Sequence, residues 1–248
     1  MNALKVMVIV PALNEEGAIG DVVRSLKRVM PDTPVLVVDD HSADATAMLA
    51  KAAGAEVVKS EVHLGVGGCV RVAYSIALER GYDYVIRVDG DGQHDPGEVP
   101  DILAALLSTG DDAVIGSRFI NSGTWKSSVV RMIGIAFFRA LLRPILGKTI
   151  GDPTSGFIAI NRRALEIFAQ NLPSAYPEIG ALILLRQNGL RFREISSRMH
   201  PRRSGRSSFT ALRSVAYTWS VLRGILAHAI YAELPVERAC VNEPTTWA

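Results

Sequence analysis

The sequence predicts an α/β fold, a mostly parallel central sheet flanked by helices, and three observations lead there. Short apolar runs alternate with segments of helical period through residues 4–91. The runs Leu4–Val10 and Val35–Val38 are nearly uninterrupted, as expected of strands covered on both faces. Two of the runs end in acidic residues, Asp39-Asp40 and Asp89-Gly90-Asp91, where an open α/β sheet binds its ligands.

Leu4–Val10 is the first strand, which Pro11 is expected to end. Asn14 then reads as a helix cap, with Glu15 and Glu16 in the first turn and helical periodicity over Ile19–Val29. Val35–Val38 is the second strand and Asp44–Ala53 the second helix. Ala55–Lys59, Gly68–Arg80 and Tyr84–Val88 follow as strand, helix and strand. This order calls for parallel pairing with right-handed crossovers. Beyond Asp91, helices are expected at Val99–Leu107, Val129–Leu146, Ala164–Phe168 and Ile179–Arg186. Strands are expected at Ala113–Ser117, Phe157–Ile160 and Arg191–Ile195, and a loose tail after Leu234.

With 248 residues, 48% of them hydrophobic, the chain can bury the core of one large domain. A net charge of +2 gives no overall reason to expect nucleic acid as a partner. Cys69 and Cys240 match no metal spacing and suggest a reducing compartment, and the start shows no signal-peptide layout. Val129–Leu146 is apolar but carries Arg131, Arg139 and Arg143, which fall within roughly 120° of one another on a helix. Val215–Ala232, with Arg223 among Tyr217, Trp219 and Tyr231, is similar. Such amphipathic helices either pack on the domain or lie in a membrane interface.

Hard oxygen ligands such as Asp89 and Asp91 suit Mg2+ or Mn2+, which in turn suit diphosphates. The bland alternative is a turn, since Asp and Gly commonly follow strands. A calcium loop fails at its sixth place, His94, and its twelfth, Pro100. The turn Pro11–Glu16 lacks the glycines of a dinucleotide fingerprint. Gly147-Lys148-Thr149 ends like a phosphate-binding P-loop, but Leu142 replaces its first glycine. Leu64-Gly65-Val66-Gly67-Gly68 either brings backbone N–H groups to a phosphate or is a plain turn.

Taken together, Pro11-Ala12-Leu13-Asn14-Glu15-Glu16, Val37–Thr46, Leu64–Gly68, Asp89–Pro96 and Gly116-Ser117-Arg118 resemble the family 2 glycosyltransferases of the Rossmann-like GT-A fold. Asp152–Phe157 and Arg203–Ser207 look most like the polyprenyl-phosphate sugar synthases. His63 and Ala45 depart from the residues frequent in that family, Asn and Gly. The resemblance implies a single domain over residues 1–233, with a nucleotide-binding half at 1–91 and an acceptor half at 92–210. A helix at 211–233 would meet the membrane interface, and 234–248 would form the tail. The donor would be a GDP- or UDP-sugar, the acceptor a polyprenyl phosphate, and the place the cytoplasmic membrane face.

Carried over by position, Pro11, Ala12, Asn14, Glu15, Asp39, Gly65, Asp89, Gly90 and Asp91 would hold the nucleotide. Asp39 would accept hydrogen bonds from the base. Asp89 and Asp91, with Gln93, would hold Mg2+ or Mn2+. Arg118, Arg131 and Arg203 would receive the acceptor phosphate, with Arg202 and Arg206 as alternatives. Asp152 would line the sugar or acceptor pocket, or else cap the turn before Pro153. A phosphate oxygen is already ionised near neutrality and needs no strong base, and Pro177-Glu178-Ile179-Gly180 lacks the Glu-Asp pair of many hydroxyl-acceptor enzymes. The rival readings are a glycosyltransferase with a hydroxyl acceptor, a non-catalytic nucleotide-sugar-binding partner, and a nucleotidyltransferase. The last would open with a Gly-rich, basic first loop.

Overall fold

The computed structural model describes residues 4–120, 129–200 and 223, excluding the side chains of 129–131. Seven strands form one sheet in the order β3-β2-β1-β4-β6-β5-β7. They are β1 (Val6–Ala12), β2 (Val35–Asp39), β3 (Glu56–Lys59), β4 (Tyr84–Arg87), β5 (Ala113–Ser117), β6 (Ile158–Asn161) and β7 (Phe192–Ser196). The flanking helices are α1 (Ile19–Val29), α2 (Thr46–Ala52), α3 (Gly65–Glu79), α4 (Val99–Thr109), α5 (Val129–Leu146), α6 (Arg162–Asn171) and α7 (Pro177–Gln187). All fall within one compact unit, Met1–Ser207.

The first four strands are parallel, as the alternation requires. α1 shows why the helices cover the sheet: Ile19, Val22, Val23 and Leu26, spaced at helical period, are all buried. They pack into a core with Val8, Val10, Val37 and Ile86 of the central strands. From β1 the chain runs outward to β2 and β3, then returns to place β4 on the other side of β1. The carboxyl ends of β1 and β4 therefore flank the point where the winding reverses, which is where such sheets open a crevice. β6 runs antiparallel to both β4 and β5, so β5 points the same way as β4. The carboxyl end of β5 and the loop entering β6 thus share the edge of the sheet that carries Asp89.

Two expectations about the first loop are corrected. Pro11 does not end β1, which continues to Ala12 with Pro11 opposite Val38. Proline has no N–H, but its carbonyl accepts from the Gly90 N–H (3.3 Å), so the strand carries on to the crevice. Nor does Asn14 cap a helix. It holds φ at +53°, a left-handed conformation that asparagine tolerates, and α1 starts only at Ile19.

α5 packs with its inner face, Ile135, Phe138, Leu142 and Leu146, buried, and it meets α7. Its outer face is also apolar: Met132, Ile133 and Phe137 are exposed, Ile133 by 65%. Among the described residues no helix is long and apolar enough to cross a membrane. The helix expected at 211–233, apart from Arg223, and the tail at 234–248 lie outside the described residues.

Candidate active site

The loops after β1 and β2 are stitched together by short side chains. The Asn14 N–H donates to Ser42 Oγ (2.9 Å), and the Ala43 N–H returns the bond to Asn14 Oδ1 (2.9 Å). The Glu15 N–H donates to Thr46 Oγ1 (2.8 Å), which leaves the Glu15 side chain buried. Pro11, Ala12, Asn14, Glu15 and Asp39 are thus brought to one wall of the crevice. Gly90 packs directly against this loop, because a Cβ there would meet Ala12 Cβ and the Pro11 carbonyl at 3.2 Å.

Asp39 ends β2 fully buried. Its Oδ1 accepts from the Ser42 N–H (3.1 Å), but Oδ2 has no hydrogen-bond partner. The nearest cation is Lys59 Nζ, 3.8 Å from Oδ2. Leaving a buried acceptor unmatched costs about 1–3 kcal/mol, which a bound N–H donor would recover.

Asp40 settles the reading of Leu64–Gly68. Its two oxygens accept from the Leu64 N–H (2.5 Å) and the Gly65 N–H (3.0 Å), and His63 Nδ1 lies 2.8 Å away. A carboxylate of the chain itself therefore occupies the first N–H groups at the start of α3, including that of Gly65. Beneath it, burial and the nearby Asp40 charge push the Cys69 thiol up to about 12.

Asp89, Gly90 and Asp91 follow β4 directly. The Gln93 N–H donates to Asp91 Oδ1 (3.0 Å), turning the loop tightly after β4. Below them His94 is buried, stacked on Phe157 at 5.4 Å, and its Nδ1 accepts the Asp89 N–H (3.2 Å). Burial outweighs the neighbouring Asp89 and Asp91 charges and holds the imidazole below its usual pKa, so it is neutral. Burial alone would raise the Asp89 carboxyl, but the Arg87 charge and its hydrogen bond to Asp89 prevail and hold it below the ordinary range. Asp89 is thus ionised at neutral pH.

The donor set fits a hard divalent cation supplied with a diphosphate. Among the described residues no group of three or more His, Cys, Asp or Glu side chains could hold a metal ion alone. Two carboxylates leave several coordination places to water and ligand phosphates, which is how Mg2+ is usually bound.

The structure joins Arg118 and Asp152 in one ion pair. Arg118 is 4% and Asp152 1% exposed. Arg118 Nε donates to Asp152 Oδ2 and Nη2 to Asp152 Oδ1, both at 2.5 Å, and Nη2 also reaches Thr154 Oγ1 (2.8 Å). With this fork filled the Arg118 guanidinium lies buried against Asp152, and Asp152 lines the small cavity that also carries Arg87 and Glu178. Glu194 on β7 fixes the same loop by accepting from the Gly151 (2.6 Å) and Asp152 (2.7 Å) N–H groups. The side chain of Arg131, and all of Arg202, Arg203 and Arg206, lie outside the described residues.

Sequence reasoning missed Arg87 and Glu178. Arg87 is buried and donates to Asp89 Oδ1 (3.1 Å) and Glu178 Oε1 (2.8 Å). A signal was present: an arginine inside the apolar run Tyr84–Val88 cannot be buried without a carboxylate beside it.

The family model Glycosyl transferase family 2 matches residues 7–168. Among curated relatives, an undecaprenyl-phosphate mannosyltransferase of Micrococcus luteus is 32% identical over 63% of this chain and 66% of its own length. A UDP-N-acetylglucosamine–dolichyl-phosphate N-acetylglucosaminyltransferase of Methanococcus voltae is 29% identical over 77% of this chain and 83% of its own. Among solved structures, glucosyl-3-phosphoglycerate synthase of Mycobacterium tuberculosis, in complex with Mn2+, UDP and glucosyl-3-phosphoglycerate, superposes with a TM-score of 0.71. It is 26% identical, over 89% of this chain and 80% of that one. With the model match covering most of the sheet and both acidic strand ends, the chain belongs to glycosyl transferase family 2.

Proposed function

We propose that the chain is an inverting, metal-dependent hexosyltransferase that moves mannose or glucose from a GDP- or UDP-sugar to a polyprenyl phosphate. The observation that carries this is the placement of two acidic sites after the parallel strands β2 and β4, which both pair with β1, on one edge of the sheet. A buried acceptor without a hydrogen bond, Asp39 Oδ2, stands at one strand end, and two carboxylates, Asp89 and Asp91, at another. The first suits the N–H of a nucleobase, the second a cation on the diphosphate. Relatives named for undecaprenyl-phosphate and dolichyl-phosphate acceptors support the lipid side.

In this reading residues 1–91 bind the nucleotide and 92–210 the acceptor. Asp39 orients the base, and the Pro11–Glu15 loop holds the nucleoside against Gly90. Asp89 and Asp91, with Gln93, hold Mg2+ or Mn2+, which when bound supplies positive charge against the departing diphosphate. The acceptor phosphate attacks the anomeric carbon in line, so an α-linked donor gives a β-linked product. The exposed apolar face of α5 supports a peripheral place on the cytoplasmic membrane face. Arg131 and Arg203 remain the proposed receivers of the lipid phosphate.

A second reading, transfer to a hydroxyl of a small phosphorylated metabolite, is favoured by the likeness to glucosyl-3-phosphoglycerate synthase. The purified chain should be given labelled UDP-glucose or GDP-mannose, Mn2+ and either a short polyprenyl phosphate or 3-phosphoglycerate. Label that partitions into organic solvent, and that EDTA abolishes, supports the lipid acceptor. Label found only on the metabolite overturns it.

A further inference from the structure

Arg87 stands where an arginine is costly. It is the last residue of β4, 4% exposed, and it touches two carboxylates, one two residues further on and one from α7. Nη2 donates to Asp89 Oδ1 (3.1 Å) and to Glu178 Oε1 (2.8 Å), and Nε also reaches Asp89 Oδ1 (3.2 Å). Glu178 sits in the first turn of α7, where a negative charge is favoured by the helix dipole. A third segment presses on the pair. At Gly156 a Cβ would fall 2.6 Å from Asp89 Oδ2 and 2.9 Å from Arg87 Nη2, so only glycine lets this backbone lie against them. Beside Arg87 and Glu178 is a cavity of about 20 Å³, room for one water.

The charges explain why two carboxylates are needed. Arg87 paired with Asp89 alone would cancel the charge a divalent cation requires. Shared with Glu178, the same guanidinium leaves the cluster one negative charge in excess, while its hydrogen bonds fix Asp89 Oδ1.

We propose that Arg87 and Glu178 form a positioning relay for Asp89: Arg87 holds one carboxylate oxygen so that the other faces the cation, and Glu178 keeps Arg87 from competing with it. Neither residue touches the reacting atoms. The relay rests on the reading of Asp89 as a metal ligand, and it ties the acceptor-side helix α7 to the metal-binding loop.

The test is Mn2+ affinity of the full chain, read from the electron paramagnetic resonance of free Mn2+ with UDP and, in parallel, GDP. Glu178→Gln should weaken binding about tenfold, as loss of an outer partner of a ligand does. Adding Arg87→Met to Glu178→Gln should recover roughly threefold of that loss, because the competing charge goes, but not all of it, because Asp89 Oδ1 loses the group that holds it. A residue needed only for folding would not be rescued by losing its partner as well. Thermal melts without metal check that each variant folds. Should Glu178→Gln not fold, Glu178→Asp, which retracts the carboxylate, carries the same prediction at about threefold. Wild-type affinity in the folded Glu178 variant, or a double variant no better than the single, overturns the relay. Mn2+ binding that Asp89→Asn leaves unchanged would instead overturn the metal reading, which separates the two failures.

Discussion

Replacing Asp152 by asparagine removes one charge from the most completely buried ion pair at the site. Arg118 then keeps its positive charge inside the protein, with side-chain exposures of 5% for Arg118 and 0% for the residue facing it. Breaking such a pair from one side costs about 3–5 kcal/mol. The lower end applies, because Thr154 Oγ1 still accepts from Nη2 (2.8 Å) and the new amide keeps one oxygen acceptor. A loss of about 3 kcal/mol is a large part of a total stability of roughly 5–15 kcal/mol. For a domain of this size it lowers Tm by roughly 6–12 °C. The double change Arg118→Met with Asp152→Leu should recover most of that, leaving a deficit of about 1 kcal/mol for the Arg118 N–H, which now donates to Asp152 Oδ2 (3.1 Å). Circular dichroism melts and urea titrations of the three variants complete the cycle. If Asp152→Asn melts with wild type while turnover collapses, the carboxylate acts on substrate and the ion-pair account is wrong.

Asp39→Asn should weaken nucleotide binding about tenfold or more, the worth of a charge-assisted bond, by calorimetry with UDP and GDP. Unchanged affinity for both would take Asp39 out of the base pocket. The buried neutral His94 makes stability depend on pH with a definite sign. Its folded pKa lies below the unfolded value of about 6.5, so its contribution is complete above that pH and is lost as pH falls. Asp89, also depressed, keeps its contribution down to about pH 4 and loses it only in stronger acid. Melting temperature should therefore drop between pH 7 and 5, and His94→Gln should flatten that drop; an equal slope in both proteins would sink the assignment. With its thiol pushed up to about 12, Cys69 should resist iodoacetamide at pH 8 in a Cys240→Ser background until urea unfolds the chain. Labelling of the folded protein at the rate of a free thiol would contradict its burial.

The parallel half of the fold was legible because buried parallel strands are apolar runs and little else. Val35-Leu36-Val37-Val38 is buried along its whole length, and the acidic residues after it mark where the strand ends. Direction was harder. Phe157–Ile160 reads as a strand, yet nothing in its composition says that it enters between β4 and β5 in the opposite sense. Local rules also misjudged Pro11 and Asn14, where contacts with the loop after β2 outweighed the usual preferences of proline and asparagine. Asp89 and Asp91 were legible as a pair one residue apart. Arg118 with Asp152, separated by 34 positions, and Arg87 with Glu178, by 91, were not, since pairing over such separations is decided by the fold.

The way these carboxylates are spent bears on the acceptor. A hydroxyl acceptor needs a base whose lone pair reaches the proton to be removed. Asp152 has both oxygens on Arg118, and Glu178 has one on Arg87. Glu194 receives the Gly151 and Asp152 N–H groups, while Glu98 accepts from Ser197 Oγ (2.7 Å) and the Arg198 N–H. His94, the imidazole nearest Asp89, accepts a backbone N–H through Nδ1. Each of these groups is engaged in holding a loop or a charge. A phosphate acceptor asks for none of them as a base, because with a second pKa near 6 it arrives already ionised. Among the described residues these carboxylates and this imidazole are therefore engaged, which agrees with the phosphate acceptor proposed above.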